Sequence, residues 1–117
     1  VSFSQFPKGC CGDASELLAA FLKDSGCGTF SYVSGWSCDG GGVTSHAWLE
    51  LGKITVDVTI DQFFDRKGEE MVATDSRWHD RFSYCRSVRQ DGDFRVLGNP
   101  YHLRVAYRTL NDFLSRV

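Results

Sequence analysis

The segment from Gly9 to Gly26 constrains the fold of this chain most, because it combines a strong amphipathic helix pattern with two cysteines at its start. Apolar residues recur in the i, i+3, i+4, i+7, i+8 order of a helix, at Ala14, Leu17, Leu18, Phe21 and Leu22. Gly26 stands where many helices end on a left-handed glycine. We therefore predict an α-helix from about Cys11 to about Ser25, with its apolar side packed on a sheet.

Composition narrows the classes of protein to which the chain can belong. Its 117 residues suffice for one domain with a single modest core. A net charge of -2 gives no basic surface for nucleic acid or anionic lipid, and no apolar run is long enough to span a membrane. The five cysteines form an odd set without metal-ligand spacing. We expect reduced thiols in a cytoplasmic protein, or in a secreted effector or toxin domain, with neither metal nor cofactor.

A cysteine at the start of a helix is chemically distinctive. The unpaired N–H groups and the dipole of the helix stabilise a thiolate there and lower the pKa of the thiol. Cys11 lies three residues before Ala14 and seven before Leu18, so it falls on the apolar side of the helix. Cys10 would face roughly the same way if it were helical. Periodicity therefore leaves both cysteines as candidate nucleophiles.

Two alternating segments, Ser45–Leu51 and Ile54–Ile60, are predicted to form a β-hairpin across Gly52 and Lys53. The register in which Leu51 opposes Ile54 collects the smaller apolar side chains of both segments on one face. A shift of one residue would destroy that face. The apolar alternation therefore favours this register.

The other face of the predicted hairpin carries polar residues that can act together. It holds His46, Trp48 and Asp57, and both Asp57 and Asp61 are diagonal neighbours of His46 in this register. Nucleophilic catalysis needs a base beside the nucleophile and a group that orients the base. His46 is the candidate base, and either aspartate could orient it. Because both faces carry large residues, we expect the C-terminal helix or residues 78–82 to cover the second face.

The rest of the chain gives weaker patterns. Before the middle of the chain they predict a strand over Thr29–Trp36 and a glycine loop over Asp39–Gly42. After the central hairpin they predict a helical turn over Gln62–Arg66, a strand over Glu70–Thr74 and a loop over Ser76–His79. Towards the end they predict a hairpin in which the turn Asp91–Gly92 joins Phe82–Gln90 to Asp93–Leu97, then a strand over Tyr101–Tyr107 and a last helix capped by Thr109 and Asp112. His79 and His102 are expected to be surface or structural residues.

Three motifs in this order resemble the transglutaminase-like branch of the papain-like cysteine enzymes. They are Cys11-Gly12-Asp13-Ala14-Ser15 running to Gly26, Ser45-His46-Ala47-Trp48-Leu49-Glu50, and Val56-Asp57-Val58-Thr59. The family pattern, a small residue four positions after the cysteine and a glycine about fifteen after it, fits alignment on Cys11 better than on Cys10. Val58 departs from the proline usual in the third motif. The resemblance covers residues 5–61, about half of the chain.

This resemblance implies an α+β fold, in which a catalytic helix packs on an antiparallel sheet. It implies a catalytic triad of Cys11, His46 and Asp57, with Gln5 as an oxyanion candidate six residues before the cysteine. Trp48 could wall the site and Trp78 could line a substrate groove. The implied activity is hydrolysis of an amide bond in a protein or peptide, by a peptidase, amidase or glutamine deamidase. The alternatives are acyl transfer to an amine and a catalytically silent binding module of the same fold.

Overall fold

The computed structural model describes residues 11–38, 42–60, 63 and 71–116, apart from the side chain of Cys11. Within these ranges the chain has the predicted α+β fold. Its elements are α1 (Cys11–Asp24), β1 (Ser31–Ser37), β2 (Thr44–Leu51), β3 (Ile54–Val56), β4 (Val72–Thr74), β5 (Tyr84–Arg89) and α2 (Tyr101–Leu114). The strands form one antiparallel sheet in the order β4-β3-β2-β1-β5. Neither described helix is long and apolar enough to cross a membrane.

Helix α1 confirms the prediction at both ends. It begins at Cys11 and stops one residue short of the predicted Ser25. Gly26 has a φ of 80°, and the Cys27 N–H donates to the Leu22 carbonyl at 2.9 Å. This is a Schellman ending, which satisfies carbonyl groups that the last helical turn leaves unpaired.

The central hairpin has the predicted register. Leu51 pairs with Ile54 across the two-residue turn, and Gly52 takes the positive φ of 58° that such a turn needs. The pairing ends at Val56, however, so the prediction of a strand as far as Ile60 is wrong. The Asp57 N–H instead donates to the Met71 carbonyl at 2.7 Å. The chain therefore turns away from β2 at the residue that carries the candidate carboxylate.

Each face of the sheet has its own cover. Helix α1 packs on one face, where Leu49 contacts Ala19 and Phe30. On the other face Trp48 packs with Val33 and Phe82. Phe82 directly follows a 3-10 turn over residues 78–81. Residues 78–82 therefore cover the second face, which was one of the two predicted covers.

The predicted hairpin about Asp91 and Gly92 is wrong. Strand β5 pairs with β1, whereas residues 94–97 form a 3-10 turn. Gly92 is buried, and its N–H donates to the Phe30 carbonyl at 2.8 Å. A Cβ atom there would lie 3.2 Å from the side chain of Ala19. This glycine therefore permits a close approach to α1 rather than a tight turn between strands.

The predicted strand over Tyr101–Tyr107 and the cap at Thr109 and Asp112 are also wrong, because all of these residues lie inside α2. Leu103 and Tyr107 belong to the strand-like alternation, but they also stand four residues apart. In the helix both are buried in a cluster with Ala20 and Phe94. Likewise, the predicted loop over Ser76–His79 runs into the 3-10 turn that begins at Trp78. The glycine loop and the turn over Gln62–Arg66 fall mostly outside the described residues.

Charged side chains join the end of α1 to the turn before α2. Asp93 is buried and accepts hydrogen bonds from Arg95 at 2.7 and 2.9 Å, while Lys23 lies 3.0 Å away. Arg95 also donates to Asp24, which in turn accepts from Tyr107 at 2.6 Å. Burial raises the pKa of Asp93, but the hydrogen bonds from Arg95 and Lys23 outweigh it and lower the pKa to about 2.

Asp93→Asn is expected to lower the free energy of unfolding by about 2 kcal/mol at pH 7, the value of a pKa depressed from 3.8 to about 2. The folded state favours the carboxylate, so this stability is fully present above pH ~4 and is lost as the pH falls towards 2. Urea titrations of both proteins between pH 7 and pH 3 would show the difference shrinking with acidification. A difference independent of pH would contradict this role of the charge.

Candidate active site

A buried carboxylate bridges two histidines on the second face of the sheet. The Oδ2 atom of Asp57 lies 2.6 Å from Nε2 of His46 and 2.6 Å from Nε2 of His79. The side chains of the three residues are only 0%, 1% and 3% exposed, for His46, Asp57 and His79 respectively. We call these three residues the histidine–aspartate cluster.

Three different elements bring the cluster together. His46 lies on β2, where its ring points to the same side as that of Trp48. Asp57 follows β3 directly, and its Oδ1 accepts the Thr59 N–H at 3.3 Å. His79 lies in the 3-10 turn, and its carbonyl accepts the Phe82 N–H at 3.1 Å. The carboxylate is therefore held between one strand and one turn that are far apart in sequence.

The hydrogen bonds define which ring atoms carry protons. An ionised carboxylate only accepts, so both Nε2 atoms must donate to Asp57. Burial raises the pKa of Asp57, but the hydrogen bonds from His46 and His79 outweigh it and hold the pKa below its usual value. A neutral His46 therefore carries its proton on Nε2 and its basic lone pair on Nδ1. This is the tautomer that a general base beside a thiol requires.

Aromatic rings pack around His46. The ring centroids of Phe63, Phe82 and Trp48 lie 4.7, 5.2 and 5.6 Å from its own. Trp48 is fully buried, and its Nε1–H donates to Glu50 at 2.8 Å. Such a shell excludes water, so the charge of Asp57 acts on His46 at low local dielectric. Trp48 is placed to wall this cluster rather than to face solvent.

Trp78 takes the outer position in this shell. It is half-buried, and its ring centroid lies 6.2 Å from that of His46. The guanidinium of Arg81 stacks 4.6 Å from its centroid. The outer side of the shell at Trp78 therefore carries a cationic side chain.

A cavity of about 240 Å³ lies where the start of α1 meets the sheet. Its walls include Gly12 from α1, Tyr32, Ser34 and Trp36 from β1, and Ser45 and His46 from β2. The first turn of a helix presents unpaired N–H groups and the positive end of its dipole. The cavity therefore joins a positive helix end to the strand that carries the candidate base, whose ring points to the opposite face of the sheet.

The structure describes only some of the predicted site residues. The predicted contact of His46 with Asp57 is present, although it forms beyond the end of the β2–β3 pairing. Cys11 is the first residue of α1, directly before the cavity-lining Gly12, and its side chain lies outside the described part. Gln5, Cys10 and Asp61 also lie outside it.

His79 is the member of the cluster that the sequence analysis missed. The sequence predicts a surface or structural role for both His79 and His102, but His79 is buried against Asp57, whereas His102 is exposed. The one sequence signal is Ser76, three residues earlier, whose Oγ lies 2.6 Å from Nδ1 of His79. A serine at this spacing can bond to a histidine in a helical turn, but it is far from specific.

Two imidazoles and a carboxylate are also a donor set for a transition metal, and the donor atoms here lie within 4.8 Å of one another. A metal ion with bonds of about 2.0–2.2 Å needs its ligand atoms roughly 3 Å or more apart. The separations from Nε2 to Oδ2 in the cluster are both 2.6 Å. Separations of this length are those of direct hydrogen bonds and are too short for two ligands of one metal ion.

Comparison with known proteins yields no relative: no family model matches the chain, and neither the curated proteins nor the solved structures contain a significant match. The fold and the cluster therefore carry the functional argument. The strongest element of that argument is the buried, hydrogen-bonded pair of His46 and Asp57.

Proposed function

We propose that this protein is a thiol-dependent acyl-transfer enzyme that hydrolyses an amide bond in a protein or peptide. Cys11 is the proposed nucleophile, His46 the general base and acid, and Asp57 the residue that orients His46. The observation that carries the proposal is the buried 2.6 Å hydrogen bond from Nε2 of His46 to Asp57. It leaves Nδ1 as the basic nitrogen of a histidine that lines the cavity at the start of α1.

In the proposed reaction the Cys11 thiol gives its proton to Nδ1 of His46, and the thiolate attacks the acyl carbon of the amide. The C–N bond breaks as His46 returns that proton to the leaving amine, which leaves a thioester on Cys11. Water then loses a proton to His46 and attacks the thioester. The carboxylic acid departs, and the proton returns to the thiol.

The charge that develops on the acyl oxygen needs donors beside the thiol. The backbone N–H of Cys11 at the helix start is the proposed first donor, and the side-chain amide of Gln5 is the proposed second. The cavity supports a substrate of modest size, since about 240 Å³ accommodates a single side chain or a short stretch of backbone. Hydroxyl groups of Tyr32, Ser34 and Ser45 in its wall suit a polar group such as a carboxamide or peptide bond.

The remaining thiols support activity in a reducing compartment. Cys27, Cys38 and Cys85 are free and exposed. Exposed thiols persist where glutathione and thioredoxin keep them reduced. We propose that the protein acts in the cytoplasm, its own or that of a cell into which it is delivered.

A peptide library tests the proposed activity and separates its forms. Incubated with the full chain, the library is expected to yield new termini if the enzyme is a peptidase, or glutamate in place of glutamine if it is a deamidase. Added methylamine would be captured on glutamine if the enzyme transfers acyl groups to amines. Mass spectrometry distinguishes the three products.

Cys11→Ser is expected to abolish turnover of the peptide library, because a serine hydroxyl ionises far less readily than a thiol. Cys10→Ser is the matched control and should keep the activity. If both variants turned over peptides as the wild type does, the chemistry would not involve Cys11. If no peptide changed in any reaction, the silent binding module would become the better account.

A further inference from the structure

We propose that His79, held by Ser76, is a positioning residue that acts on His46 through Asp57: it keeps the shared carboxylate ionised and aligned, and so keeps the basic lone pair of His46 on Nδ1. The inference rests on the proposed function of His46. It adds to that function a second histidine and a serine that lie outside the triad.

The buried charge of Asp57 has few hydrogen-bond donors among the described residues. Asp57 is 1% exposed, and an ionised carboxylate at that depth must be satisfied by hydrogen bonds. Its described donors are Nε2 of His46, Nε2 of His79 and the Thr59 N–H, and the last is long at 3.3 Å. His79 therefore supplies one of the two short bonds that keep the charge in place.

Ser76 determines which ring nitrogen of His79 carries the proton. Its Nε2 must donate to the carboxylate, so in the neutral ring Nδ1 is an acceptor. Ser76 Oγ lies 2.6 Å from Nδ1, and its hydroxyl can donate there. The serine therefore selects the tautomer of His79 that reaches Asp57 with an N–H group.

The backbone and the ring of His79 are both held in place by their neighbours. The His79 carbonyl accepts the Phe82 N–H at 3.1 Å and a longer bond from Arg86 at 3.5 Å. The His79 ring lies 4.6 Å from that of Trp48 and nearly parallel to that of His46, with 17° between the two planes. Both imidazoles therefore approach one carboxylate oxygen from fixed positions.

Removal of His79 would raise the pKa of Asp57, because the hydrogen bond from His79 lowers it. Asp57 would lose a short hydrogen bond that favours its ionised form, so its carboxyl group would bind a proton more readily. A protonated Asp57 no longer stabilises the imidazolium form of His46, which the thiolate of Cys11 needs as its partner. Two described cations lie near the cluster: Arg86, which is paired with Glu50 and donates to the His79 carbonyl, and Arg81, which stacks on the Trp78 ring.

Two substitutions of His79 distinguish a residue that positions Asp57 by a hydrogen bond from one that only fills space. In His79→Gln the side-chain amide can still donate to Asp57, whereas in His79→Phe the ring volume stays and the donor is lost. The probe is the rate of Cys11 alkylation by iodoacetamide between pH 5 and pH 9. We expect Cys11 of His79→Phe to be alkylated about tenfold more slowly than Cys11 of the wild type at pH 6. The two rates should converge near pH 9, where the thiol ionises unaided. The rate for His79→Gln should stay within about threefold of the wild-type rate. A residue that merely fills space would give the reverse order, with Phe the better replacement.

NMR of the imidazole nitrogens makes the test independent of the thiol. In the wild type His46 should carry its proton on Nε2, and this signature should weaken in His79→Phe and persist in His79→Gln. Ser76→Ala, a small change at a partly exposed site, should give His79 a mixture of tautomers. An unchanged His46 tautomer in His79→Phe would overturn the inference. Failure of Cys11 to label faster than Cys10 in the wild type would instead refute the proposed function, while the NMR result still decides the role of His79.

Discussion

Asp57→Asn is expected to slow the alkylation of Cys11 at pH 6 by up to about 10²-fold, because a thiol without its ion-pair partner, with a pKa of about 8.5, is still roughly 0.3% ionised at that pH. The carboxamide cannot reproduce this site: both Nε2–H groups donate to the single Oδ2 atom, and an amide oxygen placed there would turn the NH₂ group towards the Thr59 N–H, which is itself a donor. Its NH₂ group also needs an acceptor, and the ring nitrogens are the nearest ones. His46 is then driven towards the tautomer with its proton on Nδ1, which cannot take a proton from Cys11.

The free energy of unfolding of two Asp57 variants distinguishes the effect of its charge from the effect of its packing. Asp57→Ala should cost about 3 kcal/mol or more in the free energy of unfolding, because both buried imidazoles lose their acceptor. Asp57→Asn keeps the volume and should cost less, so that its main defect is in the thiol reaction. Asp112→Asn, on the exposed side of α2, is the matched control and should change neither quantity. An Asp57→Asn protein that labels Cys11 at the wild-type rate would remove Asp57 from the mechanism.

Gly35→Ala is expected to destabilise the protein by about 3 kcal/mol or more, which is at the upper end of the cost of overpacking. Gly35 pairs with His46 between β1 and β2. A Cβ atom on Gly35 would lie 2.1 Å from the carbonyl oxygen of Phe82, and a backbone atom cannot rotate away. The pairing of β1 with β5 already shifts its register next to this position, so the strand has little freedom to absorb a further displacement.

Denaturant unfolding would measure this cost, and Gly42→Ala provides the control. Apart from its chain neighbours, no atom of the described residues lies within 4 Å of a Cβ built on Gly42, so alanine there should change the stability by no more than about 0.5 kcal/mol. Because the Phe82 ring packs 5.2 Å from that of His46, Gly35→Ala should also lower the reactivity of Cys11. A stable Gly35→Ala protein would show that β1 and the Phe82 segment are less closely apposed than described.

The parts of the fold that could be predicted are those with a local periodic signal. Helix α1 has a full amphipathic pattern and a glycine at its end, and both were confirmed. The register of Leu51 with Ile54 followed from alternation alone, because a slip by one residue would expose an entire apolar face. Fold class followed from combining these two elements.

The C-terminal third shows where a local pattern fails. The alternation from Tyr101 to Tyr107 fits a strand, but it also contains the i, i+4 pair of Leu103 and Tyr107. What decides between them is the apolar surface that α1 and Phe94 offer, and this depends on tertiary structure. Strand β5 likewise found its partner in β1 and not in the residues that follow Gly92.

The part of the candidate site that could be predicted is the part that the β2–β3 hairpin supplies. The contact of His46 with Asp57 follows from the register and is present. His79 reaches the same carboxylate from a turn 22 residues further along the chain, and no periodicity connects those positions. Part of the site therefore depends on a long-range contact that no local pattern encodes.

The measurement that tests the central claim most directly is the mapping of iodoacetamide labels near pH 6 on all five cysteines of the folded protein. We expect Cys11 to be labelled selectively, because a thiolate paired with imidazolium persists at a pH where ordinary thiols are protonated. His46→Ala, checked for folding by circular dichroism, should slow that labelling. Equal slow labelling of every cysteine, or selective labelling of Cys11 that His46→Ala leaves unchanged, would contradict the proposed thiol–histidine chemistry.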